Sequence, residues 1–110
     1  MPRPRRRRPR ISLVIPVHNN QHQLVELTNE IRTALKGEAH EVIFVEDGST
    51  DLSWTVITEL VKQGHARQEL RGIRLSRNFG QHQAILAGLQ KARGDYTVVL
   101  DADLQDNPAF

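Results

Sequence analysis

Four short apolar runs, separated by stretches in which apolar residues recur every three to four positions, constrain the fold of this chain more than any other feature. The runs cover residues 11–17, 41–45, 72–75 and 96–100 and are rich in β-branched residues, the pattern of strands covered on both faces. Between the first two, Leu24, Leu27, Ile31, Ala34 and Leu35 predict a helix over 21–36, with Asn19 and Asn20 as cap candidates and Gly37 as its stop. Trp54, Ile57, Leu60 and Val61 predict a second helix over 52–63, closed by Gly64. Ile85, Leu86, Leu89 and Ala92 predict a third over 81–93, closed by Gly94. Strand and helix alternate throughout, which builds a parallel sheet through right-handed crossovers, so the fold class is α/β. With strand order 3-2-1-4, the first and fourth strand exits adjoin at the point where the order reverses, the place where such sheets bind ligands. Every exit is polar: His18-Asn19-Asn20, Glu46-Asp47, Arg77-Asn78 and Asp101-Ala102-Asp103.

The net charge of +2 conceals two opposite parts. Six of the fifteen basic residues, Arg3, Arg5, Arg6, Arg7, Arg8 and Arg10, stand in the first ten positions among Pro2, Pro4 and Pro9. Like-charge repulsion and proline predict a disordered tail over 1–10, while the other hundred residues carry nine basic against thirteen acidic side chains. Clustered arginine suits an anionic membrane surface, and the body adds neither basic patch nor interleaved aromatics that would extend a nucleic-acid footprint. No apolar run approaches the roughly eighteen residues needed to span a bilayer. The absence of cysteine excludes disulfides and thiolate metal sites and fits a cytosolic chain.

A parallel sheet with a cleft suits a nucleotide, but the usual glycine cradles are missing. Neither Gly-x-Gly-x-x-Gly nor Gly-x-x-x-x-Gly-Lys-[Ser/Thr] occurs, which disfavours dinucleotide oxidoreductases and P-loop ATPases. His18 and His22 are four apart, but His18 precedes the helix and no His-Glu-x-x-His pattern occurs, and no serine stands in a Gly-x-Ser-x-Gly elbow. Asp101 and Asp103, with Gln105 two further on, instead form a compact set of hard oxygen ligands suited to Mg2+ or Mn2+ held together with substrate phosphates. Such a metal would supply the positive charge that no glycine cradle provides. The alternative for the same residues is a solvated acidic turn ahead of Asn107-Pro108.

Four ordered motifs bear on this choice: Ile15-Pro16-Val17-His18-Asn19-Asn20, Val45-Glu46-Asp47-Gly48-Ser49-Thr50-Asp51, Leu75-Ser76-Arg77-Asn78-Phe79-Gly80-Gln81-His82 and Leu100-Asp101-Ala102-Asp103-Leu104-Gln105-Asp106-Asn107-Pro108. Together they resemble family 2 glycosyltransferases, and the last two point to the polyprenyl-phosphate branch. The resemblance implies a Rossmann-like GT-A fold, a nucleotide-sugar donor of UDP or GDP type, and inverting transfer to a polyprenyl phosphate at the cytoplasmic side of a membrane. It implies catalytic and metal roles for Asp101 and Asp103, with Gln105 as an additional metal ligand. Asp47 matches the carboxylate that reads the nucleobase. Pro16, His18 and Asn20 fall in the loop lining the nucleotide pocket, and Arg77 belongs to the branch motif. His18, Asn20 and Glu46 depart from the family's usual Tyr, Glu and Asp, and the change at position 20 bears on base or ribose contacts. Residues 11–110 then correspond to the N-terminal, donor-binding part of a larger domain, with the fourth strand as an apolar edge. Two alternatives remain open: a transferase acting on a glycan or protein hydroxyl, and a non-catalytic nucleotide-binding module.

Overall fold

The computed structural model describes residues 9–103, so positions 1–8 of the basic tail and Gln105 lie outside the described residues. Four strands, β1 (Ile11–Val17), β2 (His40–Glu46), β3 (Gln68–Arg74) and β4 (Tyr96–Val99), alternate with α1 (Leu24–Ala34), α2 (Ser53–Gln63) and α3 (Gln81–Lys91). All pairings are parallel and the strand order is β3-β2-β1-β4, as expected. The first two crossovers step in one direction along the sheet and the third steps back. Right-handed connections therefore place α1 and α2 on one face and α3 on the other.

The two faces bury different residues. Leu13, Ile15, Val17, Val42, Phe44 and Leu70 of the sheet pack against Leu24, Leu27 and Ile31 of α1 and Ile57 and Leu60 of α2. Val14, Ile43 and Val45 alternate to the other side and meet Ala84 of α3. The residue types on α3 explain how close it lies: a Cβ added at Gly88 would stand 2.4 Å from Val14 Cγ1, so the helix seats its small residues on the sheet. The expected leucine face is wrong for this helix, since Leu86 and Leu89 are 42% and 41% exposed. Among the described residues β4 is an edge strand, and all four of its residues are exposed.

Element boundaries shift for local reasons. β3 begins at Gln68, four residues before the sequence indicates, because the buried Gln68 side chain is satisfied by donating from Nε2 to the Thr28 carbonyl of α1 at 3.1 Å. α1 begins at Leu24 rather than residue 21, its N-cap is Gln23, and that cap makes no side-chain hydrogen bond. Asn19 and Asn20 are engaged elsewhere, as described below. Arg10, counted with the tail on sequence, is bound into the sheet: its N–H donates to the Ala39 carbonyl, and its own carbonyl accepts from Asp95 and Tyr96.

At the amino edge of the sheet His40 is buried, its Nδ1–H donating to the Glu38 carbonyl at 2.9 Å, with Nε2 buried and unpartnered. Burial holds its pKa below the ordinary histidine value and the nearby Arg32 charge adds to this, against the Glu38 hydrogen bond. The unfolded chain therefore binds the proton more readily than the fold does. Stability is expected to be complete above the unfolded histidine pKa of 6.5 and to fall as pH drops below it. Urea unfolding across pH 5–8 checks this, and replacement by His40→Gln is expected to flatten the slope in that window.

Candidate functional site

The carboxyl ends of the four strands converge on one edge of the sheet, and the sheet opens there. β4 pairs with β1 only as far as Val14 opposite Val99, with one further bond from Leu100 N–H to the Val14 carbonyl. Beyond that point β1 continues alone on its β4 side. Val14 bonds toward β4 and Val17 toward β2, so the intervening Pro16 faces β4, where pairing has already ended. A proline, which has no N–H, fits in a central strand only where no ladder bond is required. Pro16 thus marks where the cleft begins.

The loops after β1 and β2 are locked together by side chains bonded to backbone. Asn19 adopts the left-handed conformation (φ 57°), which asparagine tolerates better than most residues. Its Oδ1 accepts from the Thr50 and Asp51 amides, and its own amide donates to Ser49 Oγ at 2.9 Å. The amide of Asn20 donates to Ser53 Oγ and that of Gln21 to Asp51 Oδ2. Asn20 Oδ1 turns back to accept from the His18 amide at 2.8 Å. The ring of His18 donates from Nδ1 to the Asp47 carbonyl at 2.9 Å, which leaves Nε2 as the acceptor nitrogen. Asn19 was not among the expected site residues, although an asparagine between two polar residues at a strand exit is a signal for a left-handed turn.

Asp47 binds the third loop. It is buried, and its Oδ1 and Oδ2 accept from the Phe79 and Gly80 amides at 2.8 and 3.0 Å. Gly48, at φ 71°, backs directly onto this loop, where an added Cβ would lie 2.5 Å from Asn78 N. The Arg77 guanidinium rests over the Phe79 ring, 4.7 Å from its centroid. Glu46, also buried, accepts from the Ser49 amide and pairs with Arg74 at 3.6 Å.

Asp101 and Asp103 are exposed, whereas Ala102 between them is fully buried in the core shared with Ile15, Val17 and Leu24. The small residue anchors the turn and both carboxylates remain at the surface. Continuing the β1–β4 register brings Asp101 level with Pro16. Asp101 Oδ1 accepts from the Asp103 amide at 2.9 Å, which fixes the spacing of the pair. Two exposed carboxylates on a rigid turn fit a hard divalent cation that takes further ligands from phosphate. Among the described residues no group of three or more His, Cys, Asp or Glu gathers as a self-sufficient metal cage. A separate cleft of about 860 Å³ opens at the amino edge, lined by residues including His65, Arg67, Arg71 and Arg93. It lies at the other end of the strands, and its Arg71 and Arg93 are committed to Glu41.

An open parallel sheet with polar loops interlocked at its carboxyl ends and an aspartate pair at the switch point is the α/β architecture that receives ligands at that crevice. Residues 12–110 match glycosyl transferase family 2, and the chain belongs to that family. Among curated relatives, an undecaprenyl-phosphate 4-deoxy-4-formamido-L-arabinose transferase from Salmonella paratyphi B is 41% identical over 101 residues, covering 90% of this chain and 30% of the relative. The enzyme of the same name from Aeromonas hydrophila is 42% identical over 102 residues, covering 89% and 30%. The chain therefore spans 30% of the length of these relatives. Among solved structures, S. aureus TarS 1–349 in complex with UDP-GlcNAc matches with a TM-score of 0.71 and 26% identity over 86% of this chain and 26% of that one. The mannosyltransferase PcManGT from Pyrobaculum calidifontis, in complex with GDP-Man and Mn2+, matches with a TM-score of 0.76 at 24% identity over 88% and 28%, a likeness of fold. Among the described residues no helix is long and apolar enough to cross a membrane.

Proposed function

We propose that this chain is the donor-binding part of an inverting glycosyltransferase that moves a sugar from a nucleotide sugar to a polyprenyl phosphate at the cytoplasmic face of a membrane. The observation that carries the reading is the Asp101-Ala102-Asp103 turn, its alanine sunk in the core and its two carboxylates held at the mouth of the β1–β4 cleft. The curated relatives supply the acceptor class, and the UDP-GlcNAc complex of TarS supports a nucleotide-sugar donor.

Asp101 and Asp103 would hold Mg2+ or Mn2+, with Gln105 as a third oxygen donor, and the bound cation would offset charge on the departing nucleoside diphosphate. Pro16, His18 and Asn20 line the nucleotide side of the cleft, and Asp47 stands beside them. Arg77 adds a fixed positive charge. As a phosphate oxygen of the acceptor bonds to the anomeric carbon, the bond from that carbon to the diphosphate breaks. The acceptor needs no general base, because a phosphate monoester with a second pKa of about 6 is already anionic at neutral pH. The arginines at the start of the chain complement an acidic lipid surface, where each gains about 1 kcal/mol.

Calorimetric titration of the chain with UDP and GDP, with and without Mn2+, tests the donor site. Binding that is strengthened by the cation and falls back to a weak, cation-independent level on chelation is expected for one of the two bases. A folded chain that binds neither nucleotide in the presence of Mn2+ would refute the proposal.

A further inference from the structure

We infer that Asp47 is a positioning residue for Arg77: its carboxylate clamps the loop after β3 and thereby presents the guanidinium to the anionic part of the ligand. The inference rests on the donor-site reading above and assigns Asp47 a role that contact with a base does not require.

The connection can be followed atom by atom. Both Asp47 oxygens are engaged by successive amides of one loop, Phe79 and Gly80. The Gly80 amide also donates to Asn78 Oδ1 at 2.9 Å, so the turn is tightened from both sides. Phe79, fixed at its amide, carries the ring on which Arg77 stacks. Charge-assisted bonds to backbone amides are about twice as strong as neutral ones, and a carboxylate held by two of them is more rigid than a side chain reaching into solvent. Among the described residues Arg77 forms no ion pair, so its charge is available to a ligand.

Asp47 is itself held from the other direction. Its amide donates to the Val17 carbonyl and its carbonyl accepts from His18. The position of Arg77 is thus referred back to β1, the strand beside which Asp101 emerges. A pyrophosphate held with Mn2+ at Asp101 would meet in Arg77 a cation placed by rigid elements rather than by a free loop. Each carboxylate oxygen retains a second acceptor direction, so a base contact and the clamp are compatible. They differ in what they do to a ligand without a base.

Two measurements on the 110-residue chain decide the matter. Amide hydrogen exchange at Phe79 and Gly80 should accelerate by roughly tenfold or more in Asp47→Asn and Asp47→Ala, on the scale of a lost bond to a charged acceptor. Unaltered exchange overturns the clamp whatever the ligand results. Inorganic pyrophosphate with Mn2+ then separates positioning from base reading. Asp47→Ala and Arg77→Ala should each weaken it, and the double variant should be no weaker than the poorer single, the mark of two residues acting as one unit. Additive losses, or pyrophosphate affinity unaffected by Asp47→Ala, overturn the inference. Gly48→Ala, whose Cβ would press on Asn78 N, should reproduce the loss with the carboxylate intact. Failure of the unaltered chain to bind either pyrophosphate or a nucleotide counts against the donor site and the role given to Arg77, while the exchange rates still report on the clamp.

Discussion

Replacing Glu41 by alanine is expected to destabilise the chain by about 3 kcal/mol, at the low end of the range for removing one partner of a buried ion pair. Glu41 has no exposed surface, and five donor atoms from four groups converge on it. Oε2 accepts from Ser12 Oγ at 2.6 Å and the Arg93 amide at 2.7 Å, while Oε1 accepts from Arg71 Nη1 at 2.9 Å and from Arg93 Nε and Nη2. Removing it strands a buried hydroxyl, an amide and two guanidinium groups. The low end applies because the Arg71 and Arg93 side chains are 31% and 45% exposed and water can replace part of what they lose. Even so, the loss is large against the roughly 5–15 kcal/mol that holds an ordinary domain together. Glu41→Gln, which keeps the volume and one acceptor, is expected to cost less. Burial alone would raise the Glu41 pKa, but the Ser12, Arg93 and Arg71 hydrogen bonds outweigh it and hold it below the ordinary carboxylate value. Its contribution is therefore present above the unfolded carboxylate pKa and lost as pH falls through the depressed folded one. Urea midpoints at constant slope measure both effects, and a Glu41→Ala midpoint equal to that of the unaltered chain would rule out the account.

The cluster at Glu41 and the clamp at Asp47 belong to one design in which buried acids stand near the start of β2 and just past its end. Arg71, held by Glu41, also donates to the Lys91 carbonyl at the carboxyl end of α3, where a cation complements the helix dipole. Asp47 accepts from the Gly80 amide at the opposite end of the same helix. α3 therefore lies across β1 and β2 with both ends fixed from β2, and its close approach at Gly88 needs no large side chain. One helix thus spans from the Glu41 cluster at one edge of the sheet to the Asp47 clamp at the other.

Element order is legible in the sequence because it depends on local runs of apolar residues, whereas the strand order 3-2-1-4 belongs to the fold that the family resemblance implies and is not encoded by those runs. The role of Glu41 is not legible either, since an acid at the start of an apolar run looks like solvated polarity until Ser12, Arg71 and Arg93, each at least 29 residues away, are brought around it. The face of α3 was misjudged for a related reason: leucine spacing identifies a helix, but Val14 lies too close to admit anything larger than Ala84 or Gly88. At the site, Asp47-Gly48-Ser49-Thr50-Asp51 reads as a capped turn in sequence. In space each of these residues also meets a loop some thirty positions away, which single-sequence spacing does not encode. Conversely, the strand exits were identifiable as polar interruptions, so the sequence located the cleft without its internal bonding.

Asp101→Asn and Asp103→Asn are each expected to lower the Mn2+-dependent affinity for the preferred nucleoside diphosphate by roughly a hundredfold or more, beyond the tenfold to hundredfold typical of losing an outer-shell partner of a metal site. Asparagine is the informative replacement. It keeps the volume and an Oδ1 able to accept the Asp103 amide, so Asp101→Asn preserves the turn that Ala102 anchors while removing the charge that attracts a hard cation. A merely structural role would leave the asparagine variants close to the unaltered chain. A general electrostatic role would weaken cation binding without coupling it to the nucleotide. A metal bridge does neither: in its absence the residual, cation-independent affinity for the nucleotide should be the same in variant and unaltered chain, and only the gain on adding Mn2+ should disappear. Isothermal titration in matched buffers with and without Mn2+ reads that difference directly. Preservation of the full Mn2+ gain in both asparagine variants would place the cation elsewhere and leave the aspartate pair as a surface turn.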